Sequence, residues 1–207
     1  MKVDHSTAGD GAKLGLILAV FTGVALTVLA MPALRAQTGR LSIVPVQMRT
    51  NSDFPKAIQF FCAKNYEGER CKRDALALQN ELARYPVERL GPWIFVLVPS
   101  GDWKELVDGK VSDPESPAIT MLENRTTIFE EALFSSSGRR SLELVRRLNV
   151  PLDAMLQLAV SHELGHALCH EKNEHRASAY GYSLRQGRLL VCQPMRADRH
   201  ARRLAKK

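Results

Sequence analysis

The segment His162-Glu163-Leu164-Gly165-His166 constrains this 207-residue chain more than any other part of its sequence. An α-helix has about 3.6 residues per turn, so two residues four positions apart lie on the same face. On a helix, the imidazoles of His162 and His166 can supply two nitrogen ligands at the distance of about 2.0–2.1 Å that Zn²⁺ requires. Glu163 lies one position round from His162, where it can accept a proton from a metal-bound water instead of binding the metal. The pattern predicts metal-assisted hydrolysis of an amide.

A catalytic zinc site needs a third protein ligand and one open position for water. His170 lies about 12 Å beyond His162 along a straight helix, so these two histidines cannot hold one ion together. Cys169 shares a face with His166 and stays open as a ligand, which would give a closed structural site. Glu174 begins a second predicted helix after a turn, and a helix–turn–helix brings that position back over the first helix. The candidates after the segment are Cys169, His170, Glu171, Glu174 and His175.

The segment HELGH and the following residues 173–178, Asn-Glu-His-Arg-Ala-Ser, resemble the zincin metalloproteases of the gluzincin type. The short gap between His166 and Glu174 is more similar to ImmA/IrrE-type zincins than to thermolysin. The resemblance covers residues 150–187. It implies that His162, His166 and Glu174 bind Zn²⁺ and that Glu163 is the general base. An acidic residue often stands four positions after the glutamate ligand in this family, whereas Ser178 stands there in this chain, with less electrostatic support for a histidine.

An uncharged segment covers residues 14–34. Its 21 positions are long enough to cross a bilayer core, which needs about 20 apolar residues. A secretory signal peptide is the alternative, but signal peptides usually have apolar cores of about 7–15 residues, so we favour a transmembrane anchor. The basic residues on the two sides are nearly balanced, so the positive-inside rule does not orient the segment.

The C-terminal residues 196–207 carry six arginines and lysines against one aspartate, out of a net charge of +7 for the whole chain. The rest of the protein is therefore close to neutral. We expect a solvated basic tail, and contact with anionic lipid is the alternative. No aromatic residue lies among these cations in the sequence, so we expect no specific nucleic-acid partner.

The four cysteines follow the uncharged segment, and an even number is compatible with two disulfides outside the cytosol. Local spacing favours the pairs Cys62–Cys71 and Cys169–Cys192, and four free thiols are the alternative. We expect a single-pass membrane protein whose catalytic domain is extracytoplasmic, either periplasmic or extracellular.

The order of the predicted elements indicates an α+β class, with a small zincin-like domain at residues 53–195. Residues 1–13 form an N-terminal tail before the anchor, and residues 35–52 form a linker after it. Asp53 and Pro55 predict a short helix that holds residues 58–61. Ser141 is expected to cap a helix that ends at Leu148. Further helices are predicted over 73–84, from about 149–153 through the histidines, and over 174–186, with strands at 93–98, 119–122, 126–129 and 189–192.

These patterns together predict a membrane-anchored zinc metallopeptidase with a peptide or protein substrate. An edge strand, 119–122 or 126–129, is expected to pair with the extended substrate. His175, Tyr180 and Tyr182 are open candidates for an additional oxyanion donor. The alternative function is a non-catalytic, membrane-tethered interaction or sensor protein with a structural zinc site.

Overall fold

The structure, a computed structural model, describes residues 42–47, 54–107 and 115–193. The predicted N-terminal tail, the anchor at 14–34 and the basic tail at 196–207 lie outside these ranges. Within the described residues, no helix is both long enough and apolar enough to cross a membrane. The same residues form an α+β fold of five α-helices and one mixed sheet, which confirms the predicted class.

The sheet contains five strands in the order β1-β2-β3-β5-β4. The three central strands run parallel to one another, and the two outer strands are antiparallel to their neighbours. The strands are β1 (Ile43–Pro45), β2 (Ile58–Ala63), β3 (Trp93–Val98), β4 (Ala118–Met121) and β5 (Thr126–Glu130). The helices are α1 (Gly68–Leu82), α2 (Ser100–Val107), α3 (Arg139–Leu148), α4 (Leu152–Cys169) and α5 (Glu174–Arg185), with 3₁₀ turns at Val87–Leu90, Leu122–Asn124 and Glu131–Leu133.

The core lies against the three parallel strands, which are almost continuously buried, as parallel strands usually are. One buried phenylalanine from each strand contributes to a row across the sheet. The rings of Phe60 and Phe95 have centroids 5.7 Å apart, and those of Phe95 and Phe129 are 6.2 Å apart. These separations are typical of favourable aromatic pairs.

The predicted short helix over residues 58–61 is wrong, because these residues belong to strand β2. The strand pairs in parallel with β3, with Ile58 opposite Trp93. Its sequence is rich in β-branched and aromatic residues and is buried on both faces. Pairing with a distant strand therefore outweighs the local helix-start signal of Pro55.

The predicted final strand over residues 189–192 is also wrong, since this segment forms no strand. Leu190 is buried, but Leu189 and Val191 are 84% and 72% exposed. The predicted cap of helix α3 is wrong as well. Ser141 lies inside the helix, and its buried hydroxyl donates to the backbone oxygen of Ala132 at 2.7 Å.

The other predicted elements are present with shifted ends. Helix α1 begins at Gly68, five residues before its predicted start, because the Glu67 carboxylate caps it. That carboxylate accepts hydrogen bonds from the backbone N–H groups of Glu69 at 2.9 Å and Arg70 at 2.7 Å. The strands predicted at 119–122 and 126–129 are present as β4 and β5, which pair antiparallel, and β4 is the strand at the sheet edge.

Two disulfides are present, and both agree with the pairing favoured by sequence spacing. Cys62 at the end of β2 is bonded to Cys71 in α1, with Cα atoms 6.4 Å apart. Cys169, the last residue of α4, is bonded to Cys192, with Cα atoms 5.2 Å apart. The second disulfide attaches the segment after α5 to the end of the helix that carries both histidines.

Candidate metal centre

Helix α4 carries the histidine pair and ends at a sharp reversal. His170 adopts a left-handed conformation with φ 47°, which stops the helix directly after Cys169. The Asn173 side chain then caps α5 by accepting a hydrogen bond from the Arg176 N–H at 3.0 Å. This four-residue connection, residues 170–173, places Glu174, the first residue of α5, back beside α4.

Helices α4 and α5 pack closely because each contributes a glycine at their crossing. A Cβ on Gly165 would collide with the carbonyl oxygen of Ala177. A Cβ on Gly181 would lie 2.7 Å from the carbonyl oxygen of Ser161, which is closer than real Cβ contacts. The glycine inside the H-E-x-x-H segment thus has a packing role, which is to let α5 bring its first residue to the histidines.

The side chains of His162, His166 and Glu174 converge on one point. The two Nε2 atoms lie 3.1 Å apart, and Glu174 Oε2 lies 3.1 Å from that of His162 and 3.3 Å from that of His166. Ligands about 2.0–2.1 Å from a tetrahedral metal ion are about 3.3–3.4 Å from one another. The three atoms therefore nearly match one face of such a tetrahedron, and the donor set fits Zn²⁺.

Hydrogen bonds fix the orientation of both imidazoles. His166 Nδ1 lies 2.6 Å from the backbone oxygen of Glu171, which only accepts, so Nδ1 carries the proton. In neutral His166, Nε2 then carries no proton, and its lone pair faces the Glu174 carboxylate. Two such atoms repel each other unless a positive charge lies between them. The cluster could therefore hold a metal ion, and a proton on an imidazole would satisfy the same contacts.

Ser178 is the partner of the other histidine. Its hydroxyl lies 3.1 Å from His162 Nδ1. It occupies the place where the zincin pattern usually has an acid, and it can hold the ring without adding charge. Burial, followed by the nearby His166, lowers the pKa of His162. This direction favours the neutral ring, which is the form that binds a metal.

Glu163 is buried, with 5% of its surface exposed, and it is not part of the three-atom cluster. Burial raises the pKa of Glu163 to about 7, and a hydrogen bond from Thr120 opposes this rise. A carboxyl group that titrates near neutral pH beside two imidazoles is suited to accept and return a proton.

The cluster is open to solvent on the side of Glu174. The Glu174 side chain is 60% exposed, compared with 25% for His162 and 10% for His166. A small ion or a polar group of another molecule can approach from this side.

The remaining sequence candidates lie elsewhere. Cys169 is in a disulfide, so it offers no thiolate for a closed four-ligand site. His170 and His175 are exposed. The Tyr180 hydroxyl accepts a hydrogen bond from the Gln193 N–H at 2.9 Å, and Tyr182 is about half exposed, with the Arg185 guanidinium 5.9 Å from its ring. Neither tyrosine is in the cluster.

Sequence reasoning missed the residues that contact the glutamate from the sheet. The Thr120 hydroxyl in β4 lies 3.5 Å from the backbone oxygen of Glu163. The same hydroxyl lies 3.0 Å from that of Thr127 in β5, which accepts a hydrogen bond from the Trp93 indole in β3. These residues are far apart in the sequence and belong to no short motif. Only the pairing of the strands brings them together.

None of the family models, curated proteins or solved structures that we compared with the chain matches it. The resemblance to zincins therefore stays a prediction from residues 150–187.

Proposed function

We propose that this chain is a zinc-dependent metallopeptidase that hydrolyses peptide bonds through an activated water. The observation that carries this proposal is the triangle of three ligand atoms from two helices, with edges of 3.1–3.3 Å. The buried Glu163 beside it supports a catalytic role for the site over a purely structural one.

His162, His166 and Glu174 would hold the ion. A bound Zn²⁺ supplies a Lewis acid that polarises the scissile carbonyl and lowers the pKa of a coordinated water. Glu163 accepts a proton from the attacking water and passes it to the leaving amine. Ser178 and the backbone oxygen of Glu171 keep both imidazole rings in place while the proton moves.

Strand β4 is suited to bind an extended peptide. It lies at the edge of the sheet, and three of its four residues are only partly buried. Its Thr120 contacts Glu163, so a peptide added along this edge would lie beside the proposed base. Main-chain pairing of this kind gives affinity with little dependence on sequence.

The proposal places the catalytic domain outside the cytosol, attached to a membrane by residues 14–34. The two disulfides support this location because structural disulfides persist in oxidising compartments. Contact of the basic residues 196–207 with anionic lipid belongs to the same proposal.

The test uses the full-length chain purified in a mild detergent, with zinc content measured and cleavage followed on a degenerate library of internally quenched peptides. We expect about one zinc per chain and cleavage that Glu163→Gln abolishes while zinc stays bound. Glu69→Gln is the matched control, because it makes the same change at a side chain 81% exposed on α1. Stoichiometric zinc with no Glu163-dependent cleavage would leave the alternative of a non-catalytic zinc protein.

A further inference from the structure

The connection between α4 and α5 is built around one buried residue, Glu171, which is 4% exposed. The backbone N–H of Glu171 donates to the backbone oxygen of His166 at 3.0 Å. The backbone oxygen of Glu171 accepts a hydrogen bond from His166 Nδ1 at 2.6 Å. Both backbone groups of Glu171 are therefore bonded to His166, and any shift of Glu171 also shifts the acceptor that orients the His166 ring.

The Glu171 carboxylate is held in turn by helix α5. Its Oε2 lies 2.8 Å from Arg176 Nε, and its Oε1 lies 2.9 Å from Arg176 Nη2. Two parallel bonds from one guanidinium fix the direction of a carboxylate as well as its distance. The backbone N–H of Asn173 also donates to Oε1, at 2.8 Å. We refer to the paired side chains of Glu171 and Arg176 as the clamp.

The clamp encloses Glu174, the third ligand candidate. Glu174 lies between Asn173 and Arg176 in the chain, and the Asn173 side chain accepts a hydrogen bond from the Arg176 N–H at 3.0 Å. Arg176 is thus bonded to the connection through both its side chain and its backbone. The Glu174 side chain is more than half exposed, so its position depends on this turn more than on packing around it.

The charge of Arg176 makes its location informative. A guanidinium two residues after a ligand candidate repels a bound cation, so electrostatics alone would have its removal strengthen metal binding. Loss of a group that orients the ligands would instead weaken metal binding. The direction of the change in zinc affinity therefore separates the two roles of Arg176.

We propose that Arg176 is a positioning residue for the metal site, which fixes the His166 ring through Glu171 and fixes Glu174 through the same turn. This inference rests on the zinc site of the proposed function and not on peptide cleavage. It gives a part in metal binding to a side chain that is not itself a ligand candidate.

The first test measures zinc affinity of the full-length chain in a mild detergent, by competition with a chromophoric chelator. Arg176→Met removes the two bonds to Glu171 together with the charge, and we expect zinc affinity to fall by about 10-fold to 100-fold. An affinity equal to or above that of the wild type would overturn the inference.

Arg185→Met is the matched control. Arg185 lies in the same helix and joins it to α4 through Ser161, whose hydroxyl oxygen is 2.5 Å from Arg185 Nη1. Its removal takes away one arginine and one contact between the two helices but leaves the clamp in place. We expect zinc affinity not to fall. A fall as large as that of Arg176→Met would overturn a specific role for the clamp.

A double-mutant cycle guards against misfolding, because Arg176→Met leaves a buried carboxylate without its cation. Glu171→Gln removes the charge and keeps an acceptor oxygen. The double variant Glu171→Gln/Arg176→Met should bind zinc no more weakly than the weaker of the single variants, since both substitutions break one clamp. Additive losses would overturn the inference. If Arg176→Met does not fold, the double variant decides alone, and its zinc affinity should still be about 10-fold to 100-fold below that of the wild type.

The second test uses the metal-free chain and amide hydrogen exchange followed by mass spectrometry. At labelling times short enough for strand β3 to stay protected, we expect Arg176→Met to speed exchange over residues 168–177 and to leave β3 unchanged. Unchanged exchange over residues 168–177 would overturn the inference. Equal acceleration in β3 would also overturn it, because the substitution would then loosen the whole fold.

The outcomes separate the inference from the proposed function. A chain that binds zinc with an affinity dependent on the clamp, but cleaves no peptide, refutes the peptidase and keeps the positioning role. A zinc peptidase whose zinc affinity is unchanged in Arg176→Met and in the double variant refutes the positioning role and keeps the peptidase. A wild-type chain that binds no zinc refutes both.

Discussion

Glu130 and Glu163 are both buried, and they are held in different ways. Glu130, at the end of β5, is 1% exposed, and the Arg140 Nε lies 3.1 and 3.3 Å from its two carboxylate oxygens. Glu163, in α4, is 5% exposed, and no lysine or arginine among residues 42–47, 54–107 and 115–193 forms an ion pair with it. Burial raises the pKa of both carboxyl groups, and the Arg140 guanidinium opposes the rise at Glu130.

The comparison extends to the neighbours of each glutamate. At the Glu130 end, Arg140 also pairs with Glu115 at 2.7 Å, so charges are matched to charges. At the cluster end, the partners of Glu163 and of the Nδ1 atoms of the two histidines are neutral: Thr120, Ser178 and the backbone oxygen of Glu171. Neutral partners fix the orientation of these side chains without neutralising the charge of Glu163 or occupying the lone pairs of the histidine Nε2 atoms. The charge of a carboxylate in an ion pair is already matched, whereas a buried group with neutral partners is available for binding and proton transfer.

The largest expected effect is on zinc affinity, which should depend on the cluster and not on the region around Glu130. Glu174→Ala removes one of three ligands, so zinc affinity should fall by more than the about 10-fold to 100-fold that loss of a supporting hydrogen bond costs. Glu115→Ala, at the other end, should leave zinc affinity unchanged. Competition with a chromophoric chelator measures both. Equal zinc affinity in Glu174→Ala and in the wild type would place the ion elsewhere.

The next effect is on stability, and it should have opposite signs at the two glutamates. In the metal-free protein near neutral pH, Glu130→Gln leaves Arg140 with a weaker partner and should lower the free energy of unfolding by about 1–3 kcal/mol. Glu163→Gln removes a buried charge that lacks a cationic partner, so it should raise the free energy of unfolding. Urea unfolding of both variants measures this difference.

The pH dependence of stability explains why Glu163→Gln should raise the free energy of unfolding. The ordinary pKa of the side chain is 4.5, and in the folded protein the pKa of Glu163 is about 7. Between these values the folded state binds more protons than the unfolded state, so the stability of the wild type falls as the pH rises. Glu163→Gln lacks this loss, so its advantage should appear above about pH 4.5 and level off above about pH 7, at no more than about 3 kcal/mol. An advantage independent of pH would contradict a perturbed carboxyl group.

The smallest effect tests the neutral partner of His162. Ser178→Ala removes the hydroxyl that orients the ring, and zinc affinity should fall by about 10-fold. Ser178→Asp should raise the affinity, because a carboxylate adds charge to the same hydrogen bond. Ser183→Ala, whose hydroxyl donates to the backbone of its own helix at 3.1 Å, is the control and should change nothing. No change in Ser178→Ala would show that helix packing alone holds the ring.

Local sequence signals predicted the region of the cluster better than the region around Glu130 and Arg140. The cluster residues lie within one helix–turn–helix, so periodicity and turn residues are enough to place them. Strand β2 was predicted as a helix because its burial depends on pairing with β3, about 35 residues away along the chain. The pair of Glu130 and Arg140, and the contacts that join Trp93, Thr127 and Thr120, depend on strand order, which short patterns do not encode.

The three ligand atoms come from two helices that are joined by a turn of only a few residues. A chain whose α5 has not docked offers two nitrogens, and a chain whose α5 has docked offers the whole face of the tetrahedron. The ion and the closed helix pair are therefore thermodynamically linked, since an ion that binds only the folded form stabilises it in proportion to the logarithm of its concentration. The glycines that let α4 and α5 touch would thus set how strongly a bound ion stabilises the helix pair.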